Sequence, residues 1–171
     1  MKTTVAKVSL VILSIAVIVW LGAVNIRAII SSELLNTGTL EFVAHPNPAV
    51  EREIMHLVSY ASVVVDGGYI LAFLSAVIFL WATPLVLKRE GWLLMSAILF
   101  FIFAPVEFYT ISLDVKFFWN ELFGSPDAGA LRELFMKRLT ALSGAPLVAI
   151  LCYYTIIPLV IWRPLRKETA A

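Results

Sequence analysis

The chain has 171 residues, 61% of them hydrophobic and 15% charged, with a formal net charge of +1 and a mean hydropathy of +0.93. An ordinary soluble domain is nearer half apolar and about 25% charged, so a water-soluble core is excluded and lipid is the solvent to reason with. No basic cluster is interleaved with aromatic residues, which argues against nucleic acid as a partner. The single cysteine, Cys152, rules out an internal disulfide and paired-thiol redox chemistry.

Crossing about 30 Å of hydrocarbon takes roughly 20 apolar residues at 1.5 Å each. Four runs qualify, at about 8–28, 57–84, 92–113 and 139–162. The first follows Lys2 and Lys7 as a secretory leader would, but its apolar stretch exceeds a leader's roughly 7–15 residues and no small-x-small site follows it, so it is read as a retained span. Ser14 and Asn25 share one face of that span, as if to hydrogen-bond to a neighbouring helix.

A loop at about 31–55 follows, irregular in composition, with Gly38, Pro46 and Pro48. It holds His45, Glu51 and Glu53, and His56 stands at its edge. These four are weak candidates for a metal site, since the residue types suit a metal but their spacing matches no known pattern. The second span carries Asp66, then Gly67 and Gly68, and a row of small residues at Gly68, Ala72 and Ala76 suited to close helix packing. Only about 86–91 separates it from the third span, so the two are expected to form a tight antiparallel hairpin. In the third span Pro105 should kink the helix one turn before Glu107.

The loop at about 114–137 opens with Phe117, Phe118, Trp119 and Phe123 alternating with Lys116, Asn120 and Glu121, the pattern of a segment at the headgroup level. Ser125-Pro126-Asp127 reads as a helix start, and Leu131, Leu134, Phe135 and Leu139 follow at helical spacing. The fourth span contains Pro146 and Pro158. The expected fold is therefore all-α: a polytopic membrane protein forming one transmembrane domain over 1–171, a four-transmembrane-helix bundle running up-down-up-down, with a short interfacial helix before the fourth span.

Lys2, Lys7, Lys88, Arg89, Arg163, Arg166 and Lys167 fall on one side of this arrangement, in short segments close to span ends. By the positive-inside rule both termini are then cytoplasmic, in a cell (inner or plasma) membrane.

Asp66 and Glu107 are the two acids inside spans, and an ionisable group there costs about 2.5–3.5 kcal/mol at mid-bilayer unless it faces protein or water and has a partner. Counting from the outer ends places Asp66 roughly 13 Å deep and Glu107 roughly 9 Å deep. If the hairpin turns these faces together, the pair must share a proton, a cation or a basic side chain. Ser59 lies on the Asp66 face, Thr110 and Asp114 extend the Glu107 face, and Arg27 and Arg138 stand at outer span ends within snorkelling reach. Asp66, Glu107, Ser59, Thr110, Arg27 and Arg138 thus form the candidate intramembrane polar site.

No H-E-x-x-H, G-x-S-x-G or P-loop motif is present, and no catalytic residue or cofactor is assigned. The first expectation for function is an accessory, structural or assembly subunit in the lipid bilayer, partnered by its own copies or by other membrane subunits. The alternative is a small proton- or cation-linked transporter or channel-like bundle using Asp66 and Glu107. A weaker one is an enzyme acting on a lipid or quinone.

Overall fold

The computed structural model describes residues 2–36, 41–43, 47–85, 87, 90–124 and 128–164. Its elements are α1 (Lys2–Ser32), α2 (Pro48–Ala82), α3 (Gly91–Ile102), α4 (Ala104–Phe123), α5 (Ala128–Leu139), a 3-10 turn (Ala141–Gly144) and α6 (Ala145–Trp162). Four stretches are long and apolar enough to cross a membrane: Thr3–Ser32, Pro48–Ala82, Gly91–Phe123 and Ala145–Trp162. The chain is an all-α, multi-pass membrane protein with a short helix before its last span.

Local chemistry explains where the helices begin and end. Asn47 caps α2, its side-chain oxygen accepting from the Ala49 amide at 3.0 Å, and Pro48 occupies the first turn, where a missing N–H costs nothing. This cap makes Pro48–Met55 helical, although proline and the polar composition had suggested an irregular loop. At the other end the Thr83 amide reaches Phe79 O at 2.8 Å, and Pro84 then forbids continuation.

The third span breaks between α3 and α4 at Phe103, two residues before Pro105. Proline disturbs the turn that precedes it, because its ring crowds the carbonyl four residues back and offers that carbonyl no donor. Beyond the expected end of the span, α4 runs on unbroken through Lys116–Phe123, so the aromatic segment is a helical extension rather than a separate loop. Ser125, Pro126 and Asp127, the expected start of α5, lie outside the described residues, as do Gly38, His45, Pro46, Lys88, Arg89, Arg166 and Lys167. The last span is shorter than its apolar run. Leu142 (φ 54°) and Gly144 (φ 88°) leave the right-handed helical region, and Pro146 sits in the first turn of the new helix.

The chain divides into two compact units, Met1–Thr83 with Ile111–Arg138, and Pro84–Thr110 with Leu139–Ala171. In the first, α1 packs along α2. The buried residues of α1 recur at helical spacing (Ala16, Trp20, Ala23, Val24) and meet the small-residue row of α2. A Cβ placed on Gly68 would come within 3.0 Å of Trp20 Cβ and 3.1 Å of its Cα, so glycine is what allows this backbone approach. One end of the unit is an apolar cluster of Leu34, Met55, Val58, Phe117, Leu131 and Phe135, drawn from the turn after α1 and from α2, α4 and α5. An isolated bridge between Leu35 and Phe42 lies beside it. Ser14 bonds back to Leu10 O at 2.9 Å and Asn25 to Leu21 O at 2.9 Å, so the polar face expected to reach a neighbour turns part of its bonding onto its own helix.

In the second unit α3 packs with α6 through rings. Tyr153 is buried between Phe100 and Phe103, with centroids 5.9 and 6.2 Å away. At one end of this unit Trp92 donates its indole N–H to Glu90 at 2.6 Å and carries the Arg163 guanidinium over its face at 5.4 Å.

Candidate functional site

The polar interior of the first unit is built on Asp114, in the middle of α4. Its side chain is 4% exposed and accepts from two arginines: Arg27 Nη1 of α1 at 2.9 Å, and Arg138 Nε of α5 at 3.0 Å to each carboxylate oxygen. A second Arg27 contact runs to Ser62 Oγ of α2 at 3.3 Å. Two cations on one buried carboxylate would leave an excess positive charge. Asp66 of α2, itself buried, interacts electrostatically with Arg27. The cluster thus draws on two arginines and two aspartates, and opposite charges in company are the condition for ions to persist away from water. The network joins α1, α2, α4 and α5.

The two arginines named from sequence are therefore brought together, with Asp114 as their shared acceptor. Ser59 is buried on the Asp66 face of α2, one turn from Ser62, and its hydroxyl makes no hydrogen bond to the described residues. Glu107 and Thr110 are also buried but belong to the second unit, where Thr110 Oγ1 donates to Glu107 O at 2.9 Å.

A second ionic contact lies nearer the end of the first unit. Glu51, 3% exposed in the first turn of α2, accepts from Arg132 of α5 through Nε at 2.6 Å and Nη2 at 2.8 Å, a two-pronged pair. The Arg132 guanidinium also covers the Phe42 ring at 5.3 Å. Its bond to Glu51 raises the arginine's pKa further, so its charge does not titrate in any accessible range. His56 Nδ1 lies 3.3 Å from Glu121 Oε1, where it ties α2 to α4, and its ring meets Tyr60 edge-on. The weak metal candidates thus part company. Glu51 is engaged by Arg132, His56 faces Glu121, Glu53 is exposed and His45 is outside the described residues. Among the described residues no three His, Cys, Asp or Glu side chains gather as a metal would need.

Sequence reasoning left Asp114 as an outward extension of the Glu107 face and gave Ser62, Glu121 and Arg132 no role. The available signal for Asp114 was its position seven residues after Glu107, level with the span-end arginines. Nothing local pairs Glu51 with Arg132, which are 81 residues apart. Comparison with protein-family models, with curated proteins and with solved structures returned no match.

Proposed function

We propose that this multi-pass protein is a structural or accessory subunit of a membrane complex, set in a cell (inner or plasma) membrane with both termini cytoplasmic. The observation that carries this reading is that two arginines from different helices share the Asp114 carboxylate, Arg27 at 2.9 Å and Arg138 at 3.0 Å. Charges spent on one another fix helices in place, and an arginine held by a buried carboxylate is poorly placed to bind a transported ion. Extraction in a mild detergent followed by native electrophoresis tests the reading. The chain is expected to migrate in a stoichiometric assembly with a second copy or another membrane subunit, and a monomer running alone from its native membrane overturns it.

A transport reading has one observation in its favour. The Ser59 hydroxyl is buried without a hydrogen-bond partner among the described residues, on the face that carries Asp66, and such a group suits a bound water or a hydrated cation. Reconstitution in liposomes decides the point: proton or cation flux that falls on Asp66→Asn or on Glu107→Gln supports transport, and absence of flux in the parent protein removes it.

A further inference from the structure

We propose that α5 is a releasable clasp: seated, it shields the cluster of Arg27, Ser62 and Asp114 from water, and released, it opens that cluster to the aqueous phase at its end of the first unit. The proposal concerns access to the site rather than its biological use, and it stands under either reading above.

Apolar and ionic contacts together seat α5, with Leu134 and Met136 packed against the cluster as well. Leu131 and Phe135 enter the apolar cluster, Arg138 lies on Asp114, and Arg132 lies on Glu51. Residues 131, 135 and 138 follow one another at four and three positions and share one helix face, so one docking movement engages the apolar contacts and the inner ion pair together. Among the described residues Arg138 is the element of α5 that reaches the network; when it leaves, Asp114 keeps Arg27 but loses the group that covers its other oxygen.

The outer pair is built differently from the inner one. Both carboxylates are 4% exposed, but Arg132 is 40% exposed and Arg138 18%. Salt therefore screens the outer pair more than the inner one. Past α5, the chain leaves helical geometry at Leu142 and Gly144, so the hydrogen-bond ladder of α5 does not continue into α6. α5 can then move without unwinding the span that follows it.

The test uses thiol accessibility in the full-length protein in sealed liposomes. Ser62→Cys, a near-isosteric change, is placed in a Cys152→Ser background and treated with a membrane-impermeant maleimide. With the clasp intact the thiol is expected to label slowly. Adding Glu51→Gln should accelerate labelling about tenfold, the size of effect expected when a charge-assisted hydrogen bond holding a local opening reaction is lost. Elevated salt should act in the same direction on the parent and have little effect on the Glu51→Gln protein. The exchanged pair, Glu51→Arg with Arg132→Glu, should restore slow labelling, which separates loss of the clasp from general misfolding. Equal rates in parent and Glu51→Gln proteins overturn the proposal, as does fast labelling that the exchanged pair fails to reverse.

Discussion

The two units of this protein hold their helices by different means: the first adds buried charges to its apolar packing, and the second relies on rings. In the first, α1, α2, α4 and α5 converge on charges: Arg27, Asp66, Asp114 and Arg138 in the interior, and Glu51 with Arg132 nearer the end. In the second, α3 and α6 meet through Phe100, Phe103 and Tyr153, with the Glu90–Trp92–Arg163 stack at one end. Lipid tails are as apolar as a phenylalanine ring, so ring packing in a membrane is stabilised mainly by van der Waals contact and shape. An ion pair in the same medium is directional and costly to break, because each abandoned partner is left charged in oil. The first unit should therefore tolerate few changes at a small number of positions, and the second many changes at modest cost.

The largest expected effect comes from removing the shared acceptor. Asp114→Ala takes the shared carboxylate from two half-buried guanidinium groups and should cost about 3 kcal/mol, the low end for a buried pair, read as a lowered midpoint of thermal unfolding in detergent. If the loss is no larger than for a typical exposed substitution, the contrast between the units fails. Next comes Gly68→Ala, whose new methyl would press on the Trp20 backbone and should cost about 1–3 kcal/mol. Tyr153→Leu keeps an apolar side chain but loses two ring contacts and part of the buried volume, for about 1–2 kcal/mol, and should leave amide exchange in α1 and α2 unchanged. A change in exchange there would show that the units do not separate as described. The smallest effect has the opposite sign. Gly67 faces open space, so Gly67→Ala relieves the helix of a glycine and should stabilise by about 0.5–1 kcal/mol in the same thermal assay.

These contrasts also mark what the amino-acid order makes visible. The four spans were legible because a run of some twenty apolar residues has one inexpensive fate in a lipid solvent. Asp66 and Glu107 stood out as charges within such runs, and Arg27 and Arg138 as cations at their edges. Asp114 was harder to see, because it sits where the apolar run ends and a carboxylate there is ordinarily wet. Only the continuation of α4 to Phe123 puts it inside the unit. That continuation followed from Phe117 packing with Leu34, Met55, Leu131 and Phe135, a cluster assembled from four separate stretches of chain. Local patterning shows that each stretch is amphipathic but not which of them meet. Gly68 illustrates the converse: its role in close packing was readable from spacing alone, whereas the open space beside Gly67 was not.

The first unit depends on the bond between half-buried Arg27 and buried Asp114, and a double-mutant cycle measures it. Unfolding free energies of the parent, Arg27→Gln, Asp114→Asn and the combined variant are expected to show a coupling of about 1–3 kcal/mol, with the double variant less destabilised than the sum of the singles. Losses that simply add, to within about 0.5 kcal/mol, would contradict it.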